Sequence, residues 1–502
     1  MAKIILSTLN ARYIHSSLGL RYLKANMANL ESETSIREFI INTRPIDIVE
    51  QLLEAKPRII GFGIYIWNVE QTTEVIKLLK TIAPEIIIIL GGPEVSYEYQ
   101  QQEVMQYCDY LITGQADLEF VSLCSSILSS KPAEDKIIHA QQPSLDKIKL
   151  PYYLYSDNDI ANRILYVEAS RGCPFKCEFC LSSLDKTAWP FNIDLFLDNM
   201  QTLYERGARH FKFVDRTFNL KIENSIRIMQ FFLDRMKENE LFLHFELIPD
   251  HLPDKLKALI SQFPPHSLQF EIGIQSLNPH VQTLISRKQN DKKVSANLAW
   301  LRDNSQAHIH ADLIIGLPGE SMEMFANGFN TLVALNPHEI QVGILKRLKG
   351  TPLIRHTFEH ELCFNPSPPF NILQTGLIDF KTMQRLSRFA RYWDMIANSG
   401  RFIQTKSLIL GQSPFENFMI ISDWLFTETG QTHKIALERL FKLLYIGALE
   451  ILGLDKATVQ KHLLQDYERS GIKGKARFLE SAPVAPITKI SQQGHRQKQH
   501  SY

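Results

Sequence analysis

Hydrophobic residues in the first 130 positions fall into short aliphatic runs that alternate with segments of helical periodicity. The runs are nearly continuous in Ile, Leu and Val, which is typical of strands buried on both faces of a sheet. Strands are predicted at 3–9, 35–42, 58–67, 85–90 and 110–113. Helices between them favour a Rossmann-like, doubly wound parallel sheet at 1–130, with ligands at the carboxyl ends of its strands.

The alternation stops and then resumes further along the chain. Residues 131–163 are polar, contain proline and predict a linker. Six strand–helix units follow within 164–355 and predict a partial (β/α)6 barrel. Helical periodicity alone continues through 356–480, which predicts a helical C-terminal extension, and the polar, basic residues 481–502 predict a disordered tail. The fold class expected is therefore α/β, with the helical extension last.

Charge and composition narrow the possible partners. The 55 Lys and Arg residues nearly balance the 54 Asp and Glu residues, so no overall field would attract a nucleic acid. The aliphatic runs are far too short for a membrane span, and a cytoplasmic location is expected. Three of the six cysteines crowd into eight positions, which favours metal binding over disulfides in a reducing compartment.

The crowded cysteines are Cys173, Cys177 and Cys180, in a predicted loop that leaves the first barrel strand. Thiolates at this spacing can hold three corners of a cubane iron–sulfur cluster and leave the fourth iron open, as a catalytic metal needs. A structural zinc site is the alternative, but zinc modules favour paired Cys-x2-Cys elements, and no second pair exists. Cys108, Cys124 and Cys363 are isolated and predicted to be buried thiols.

This Cys-x3-Cys-x2-Cys loop resembles the signature of the radical S-adenosylmethionine superfamily. The resemblance implies an oxygen-sensitive 4Fe-4S cluster whose open iron binds S-adenosylmethionine. It also implies an electron donor such as flavodoxin or ferredoxin, and reductive cleavage to a 5′-deoxyadenosyl radical. Phe179, directly before the last cysteine, is expected near the adenine of S-adenosylmethionine.

Charged residues lie at the ends of two predicted barrel strands. Asp215 and Arg216 end the second strand, where the family places polar groups near the methionine moiety. Asp215 could accept from the ammonium and Arg216 could pair with a carboxylate, or the two could form a solvated charge pair. Lys346 and Lys349 follow the sixth strand and could face an anionic substrate or solvent.

Two further segments match the order of motifs in the resembled family. In the fourth strand, Glu271 and Gln275 share one face, which should be the barrel interior. Their inward polar groups need partners, which the ribose or aminoacyl group of S-adenosylmethionine would provide. After the fifth strand, Gly316 and Gly319 flank a proline turn and permit close approach to the adenine.

The first 130 residues resemble the cobalamin-binding domain that precedes many radical S-adenosylmethionine barrels. The resemblance rests on the turns that begin at Gly91-Gly92 and at Gly114, and on the loop Tyr65–Asn68. It implies that these glycines admit cobalamin. His15 stands where base-off cobalamin domains carry a cobalt ligand, but the usual aspartate two positions earlier is missing. Ligation by His15, a lower face without histidine, and a domain used only for packing all stay open.

Several functions follow from these resemblances. The leading hypothesis is a cobalamin-dependent radical enzyme that transfers a methyl group to an unactivated atom of a small molecule. The alternatives are a radical cyclase or another non-methylating radical enzyme, and a non-catalytic cobalamin or redox sensor. Methylthiolation would require three cysteines in the N-terminal domain, which has only Cys108 and Cys124.

Overall fold

A computed structural model describes residues 3–131, 133–472 and 476. The described chain folds into two compact units. The first comprises the described residues of Met1–Glu246, Lys346–Ile354 and Asn365–Phe370, and the second those of Leu247–Leu345, Arg355–Phe364 and Asn371–Tyr502. The predicted tail at 481–502 lies outside the described residues, and the predicted boundaries at 130, 163, 355 and 480 stay predictions.

The first unit opens with a six-stranded, all-parallel sheet. Its strands are β1 (Ile4–Asn10), β2 (Thr34–Ile40), β3 (Ile59–Gly63), β4 (Ile87–Gly91), β5 (Tyr110–Thr113) and β6 (Ile137–His139). Their order is β2-β1-β3-β4-β5-β6, with Ile4 of β1 opposite both Thr34 and Ile59. From β1 the chain adds β2 on one side and β3 to β6 on the other, so the strand order reverses between β1 and β3. Doubly wound sheets bind ligands at this point.

Helices cover both faces of this sheet. They are α1 (Leu18–Ala25), α2 (Pro45–Leu53), α3 (Val69–Ile82) and α4 (Glu119–Leu128). Alternate strand residues bury themselves against α2 and α3 on one face and against α1 and α4 on the other. At Gly61 a Cβ would lie 2.8 Å from the ring of Phe120, so the absence of a side chain lets α4 pack closely on β3.

Described residues of the predicted linker contribute a strand to this sheet. Residues Ile137–His139 form β6, which pairs in parallel with β5, Leu111 lying opposite Ile137. A short helix, α5 (Asp157–Asn162), starts in a capping box in which the Ser156 and Asp159 side chains accept each other's backbone N–H groups. Two isoleucines are too short a run to distinguish from connector sequence, which explains why the pattern predicted no strand there.

The first unit also holds the strands that surround the cysteine loop. They are β7 (Leu165–Val167), β8 (Ser170–Arg171), β9 (Trp189–Pro190), β10 (His210–Phe213) and β11 (Phe242–Leu247), of which β11 ends on the first residue of the second unit. β10 pairs in parallel with β7 and β11, while β8 and β9 form a short antiparallel ladder across the base of the cysteine loop. Helices α6 (Ile193–Glu205) and α7 (Ile222–Arg235) alternate with them.

The second unit continues the parallel alternation. Its strands β12 (Leu268–Gln275), β13 (His308–Ile315) and β14 (Glu339–Ile344) pair in sequence order. Helices α8 (Asp254–Ile260), α9 (Pro279–Leu284), α10 (Asp291–Asn304) and α11 (Met322–Ala334) accompany them, followed by a small ladder of β15 (Cys363–Phe364) and β16 (Ile372–Gln374). Its three parallel strands continue the strand–helix alternation that the sequence predicts for 164–355.

Five helices make up the described part of the C-terminal region. They are α12 (Phe380–Ile396), α13 (Ile403–Leu410), α14 (Pro414–Thr429), α15 (Leu437–Ile446) and α16 (Lys456–Arg469). Trp393 Nε1 and Asn398 Nδ2 donate to the carbonyl of Ile340, at 2.8 and 2.9 Å, so the residues around the end of α12 cover the outer strand β14. The predicted helical extension is confirmed. No helix in the described ranges is long and apolar enough to span a membrane.

Candidate active site

The cysteine loop is held in shape by its own backbone. The Cys173 N–H donates to the carbonyl of Asp185 at 3.0 Å, and the Cys180 N–H donates to the carbonyl of Cys177 at 3.1 Å. Gly172 has φ +90°, and a Cβ there would lie 2.2 Å from the carbonyl oxygen of Thr187. Glycine is therefore required immediately before the first cysteine, because both the φ and the close backbone exclude a side chain.

The three thiols differ in exposure but share one loop. Cys173 is buried, whereas Cys177 and Cys180 are half-buried. Burial raises the pKa of the Cys173 thiol to about 11, so a bound cation is needed to hold it as a thiolate at neutral pH. Within the described residues, no three His, Cys, Asp or Glu side chains are arranged around one metal ion. A cubane takes its three protein ligands on separate irons, so the thiols need not surround a single metal position.

The remaining cysteines behave differently from one another. Cys108 and Cys124 are buried as predicted. Cys363 is exposed, which corrects the prediction, because its two-residue strand β15 lies in a short ladder that leaves the thiol in solvent. Phe179 is half-buried in the cysteine loop. Its place near an adenine stays a prediction.

Asp215 lies beneath the strand that enters the loop. Its carboxylate accepts from the Ala169 N–H at 2.9 Å and from the Ser170 hydroxyl at 2.6 Å. Burial raises the pKa of Asp215 to about 7, against the opposing effect of these hydrogen bonds. Arg216 forms an ion pair with Glu246 at 2.7 Å and lines a cavity of the first unit. The two residues therefore do not form the solvated pair that was one sequence-based alternative, and Asp215 instead supports the entrance to the loop.

A cavity of about 790 Å³ lies at the carboxyl ends of β1, β3, β4 and β5. The predicted cobalamin residues His15, Gly91, Gly92 and Gly114 all line it. Residues around the cysteine loop line it too, namely Glu168, Ser170, Arg171, Gly172, Ser182 and Asp185. The structure thus joins the predicted cobalamin turns and the cysteine loop in one cavity.

The glycines in the cavity wall have distinct roles. Gly92 has φ +110°, and a Cβ there would lie 2.4 Å from the carbonyl oxygen of Ile64. Gly114 has φ +79° and would place a Cβ 2.8 Å from the carbonyl oxygen of Ala140. Both therefore allow neighbouring turns to pack, rather than only admitting a ligand as the sequence suggested. At Gly91 the nearest atom to a Cβ is 3.6 Å away, so this glycine widens the cavity itself.

His15 follows β1 and reaches the first strand of the barrel. Its Nδ1 lies 2.7 Å from the hydroxyl of Tyr166. Burial, together with Lys212 and Arg12, lowers its pKa and favours the neutral imidazole. A neutral ring with one nitrogen held by a partner suits a metal ligand, but it equally suits a simple link between two strands. Cobalt ligation by His15 stays a prediction.

Four residues predicted to contact S-adenosylmethionine belong to the second unit. In β12, Glu271 and Gln275 alternate with buried apolar residues and share a face, as predicted. Gln275 has φ +68°, and its buried Oε1 has no hydrogen-bond partner among the described residues. A strained residue with an unmet acceptor is typical of a ligand contact. Gly316 and Gly319 both have positive φ, +86° and +73°, as close turns require.

Glu320 is a residue that the sequence pattern did not single out. It follows Gly319, is buried, and accepts from the Ser276 hydroxyl at 2.5 Å. Burial raises its pKa to about 8, so the carboxyl is largely protonated at neutral pH.

Lys349 faces neither an anionic substrate nor solvent, the two alternatives that the sequence left open, because its Nζ forms an ion pair with the buried Glu94 at 2.5 Å. No local sequence pattern links residues that are so distant in the chain.

Family models match three consecutive parts of the chain. A B12 binding domain model matches residues 5–123, the Radical SAM superfamily model matches residues 167–332, and a model of a protein of unknown function (DUF4080) matches residues 358–499. The first two matches contain the glycine turns and the cysteine triplet described above, and the third begins just beyond the last barrel strand.

Relatives and solved structures agree with these matches. An uncharacterised methyltransferase of Pyrococcus horikoshii is 25% identical over 69% of this chain and 79% of its own length. The cobalamin-dependent radical SAM methyltransferase TokK of Streptomyces tokunonensis is 22% identical over 59% of this chain and 48% of its own length.

Among solved structures, the cobalamin-dependent S-adenosylmethionine radical enzyme OxsB covers 92% of this chain and 78% of its own, at 13% identity and TM-score 0.60. The radical S-adenosylmethionine methyltransferase TsrM of Kitasatospora setae, with cobalamin and a [4Fe-4S] cluster bound, covers 70% of this chain and 77% of its own. Its identity is 15% and its TM-score 0.56. At such identities the likeness concerns the fold.

The donor sets fit the cofactors that these matches imply. Three cysteines in one loop suit a 4Fe-4S cluster, the unmet Gln275 acceptor suits S-adenosylmethionine, and the glycine-lined cavity suits cobalamin. The predictions of an enzyme and of these three cofactors are confirmed. The chain is therefore an enzyme in which a B12-binding domain precedes a domain of the Radical SAM superfamily.

Proposed function

We propose that this enzyme is a cobalamin-dependent methyltransferase that methylates an unactivated atom of a small molecule. The observation that carries the proposal is the shared cavity, which is lined by the turns after β1, β3, β4 and β5 and by the residues around the cysteine loop. When bound, S-adenosylmethionine on the reduced cluster supplies a 5′-deoxyadenosyl radical and cobalamin supplies a transferable methyl group. Relatives described as methyltransferases favour the same reaction.

The residues of this chain have holding and positioning roles in the proposal. Cys173, Cys177 and Cys180 bind the cluster, and Asp215 holds the strand that leads to them. Gly91 leaves room for a large ligand at the edge of the sheet. These contacts are what a radical enzyme needs from its protein, namely alignment of the reacting groups in a protected cavity.

The partners also belong to the proposal. The proposed substrate is a small molecule that shares the cavity with the cofactors, and the near balance of charges gives a nucleic acid no overall attraction. A flavodoxin or ferredoxin donates the electron that the cluster requires.

A second candidate is a non-methylating radical reaction such as a cyclisation. The cofactors leave it open, because a 5′-deoxyadenosyl radical formed beside cobalamin does not by itself fix which bond the substrate forms. The sensor hypothesis is not retained, because the chain is an enzyme of the radical superfamily.

The test uses anaerobically purified, full-length enzyme with reconstituted cluster, added cobalamin, methyl-labelled S-adenosylmethionine and small molecules from a cell extract. Reduction should give 5′-deoxyadenosine and a labelled product. The Cys177→Ala variant should form neither, whereas the matched Cys363→Ala variant, which lacks an isolated exposed thiol, should form both. 5′-Deoxyadenosine together with an unlabelled new product would establish the second candidate and reject methyl transfer.

A further inference from the structure

Arg171 is the residue that enters the cysteine loop, two positions before Cys173. Its guanidinium binds Asp117 through two parallel contacts, Nη1–Oδ2 at 2.9 Å and Nη2–Oδ1 at 3.1 Å. Its Nε donates to Glu168 at 2.8 Å. Two-pronged contacts of this kind fix orientation as well as charge.

The three charged side chains are almost enclosed. The exposed fractions are 12% for Arg171, 8% for Asp117 and 12% for Glu168. The guanidinium also packs 4.4 Å from the ring centre of Tyr22. One cation is paired with two carboxylates. Loss of either carboxylate would therefore change the net charge of a group of side chains that water hardly reaches.

These contacts join two parts of the first unit. Asp117 follows β5 of the first sheet, whereas Glu168 follows β7 and Arg171 ends β8, the strand that leads into the cysteine loop. A second link runs alongside: Gln115 Nε2 donates to Asp185 Oδ2 at 3.4 Å, and the carbonyl of Asp185 accepts from Cys173 N–H at 3.0 Å. The turn after β5 therefore reaches the backbone of a cluster ligand.

The residues of both links also line the cavity. They are Tyr22, Gln115, Asp117, Glu168, Arg171 and Asp185. A ligand that fills the cavity must touch the network that holds the loop, and it will bind more tightly to the pinned loop than to an opened one. A ligand with such differential affinity shifts the loop toward the state in which the Arg171–Asp117 contact is made. In turn, a loop held in that state binds the ligand more tightly.

We propose that Arg171 is a positioning residue that couples the cavity to the cysteine loop through Asp117, so that cobalamin in the cavity slows loss of the cluster. The inference rests on the proposed function in one respect, that cobalamin occupies this cavity. The cluster leaves only when the loop opens, and opening breaks the Arg171–Asp117 contact. Cobalamin in the cavity therefore opposes cluster loss, and the Arg171–Asp117 pair carries that effect.

The experiment follows the visible absorbance of the cluster in the full-length holoenzyme after addition of an iron chelator, with and without hydroxocobalamin. Equilibrium dialysis measures cobalamin binding separately. In the unchanged enzyme, cobalamin should slow cluster loss about tenfold, within the usual range of coupling between sites. In Asp117→Asn the slowing should fall below about twofold, because a neutral amide cannot hold the guanidinium in the same two-pronged way.

Two further variants separate coupling from general instability. Arg171→Lys keeps the positive charge but loses the planar fork, and it should show intermediate coupling. Asp159→Asn is the matched control: Asp159 is a buried carboxylate 3.0 Å from the guanidinium of Arg21, and it does not line the cavity. This variant should lose its cluster faster with or without cobalamin, while the tenfold slowing remains.

The outcomes distinguish the two proposals. If cobalamin binds and slows cluster loss equally in Asp117→Asn, Arg171→Lys and the unchanged enzyme, the coupling is wrong and the proposed function stands. If dialysis shows no cobalamin binding to the unchanged enzyme, both fail. Cobalamin-dependent slowing that is lost in Asp117→Asn and kept in Asp159→Asn would support the inference.

Discussion

Asp215 is a single buried carboxylate that stabilises the backbone leading into the cysteine loop. Its oxygens hold the Ala169 N–H and the Ser170 hydroxyl, which lie on the path from β7 into the cysteine loop. Burial nevertheless raises its pKa to about 7, well above the 3.9 or so of a free aspartate. Its protonation therefore changes within the range where the enzyme would be handled.

Asp215→Asn should make the stability of the protein less dependent on pH. Between about pH 4 and pH 7 the folded state holds more protons at Asp215 than the unfolded state, so the free energy of unfolding falls as pH rises through this window. The loss amounts to at most about 4 kcal/mol by pH 8, at 1.36 kcal/mol for each pKa unit.

Thermal melting of both proteins at pH 5 and pH 8 checks this expectation. From pH 5 to pH 8 the melting temperature of the unchanged enzyme should fall by more than that of Asp215→Asn. Equal losses would mean that Asp215 keeps an ordinary pKa in the folded state.

The loop between β8 and β9 is the element on which the cluster site depends, and its start is set by a glycine. Gly172 combines φ +90° with a neighbouring carbonyl oxygen only 2.2 Å from where a Cβ would lie. Backbone atoms cannot swing away as a flexible side chain can. The loop must therefore shift if residue 172 has a side chain.

Gly172→Ala should lower the iron content of the reconstituted enzyme to less than about half, at a cost to the loop of roughly 1–3 kcal/mol for strain of this kind. Gly207→Ala is the matched control, because Gly207 has φ +97° with no described atom within 4 Å of its Cβ position. Iron determination per chain makes the comparison. Equal iron in the two alanine variants would show that the close carbonyl does not restrict the loop.

At the level of elements, the spacing of hydrophobic residues predicted strands and helices. Predicted strand 58–67 corresponds to β3 at Ile59–Gly63, and the helix expected after it corresponds to α3. The cysteine triplet was recognisable because cluster ligands are adjacent in sequence. The Arg171–Asp117 pair was not, because its members are 54 residues apart and each looks like an ordinary surface charge until the fold brings them together.

Across the whole first unit, distant segments are held together by a few buried charges. The segment Lys346–Ile354 returns to this unit, where Lys349 pairs with Glu94 and the Leu353 N–H donates to the carbonyl of Glu178 in the cysteine loop. Side chains of Lys349 and Glu94 are only 11% and 3% exposed. Burial raises the pKa of Glu94, and Lys349 opposes that rise.

Lys349→Met should destabilise the first unit by about 3–5 kcal/mol, because it leaves the Glu94 charge buried without its partner. The double variant Glu94→Gln with Lys349→Met should recover much of that loss. Arg347→Met removes the partner of Glu98 from a more exposed pair and should cost no more than about 1 kcal/mol. Melting curves of the three variants test this order, and a cost for Arg347→Met equal to that of Lys349→Met would contradict it.

Strand β6 also has a consequence for the order in which the enzyme is made. Domains of a growing chain generally fold in sequence from the N-terminal side. Residues 137–139 complete the first sheet, and the first cluster ligand is Cys173, which is synthesised later. The six-stranded sheet can therefore form before the cluster cysteines leave the ribosome, so that the cysteine loop folds against a sheet edge that is already in place.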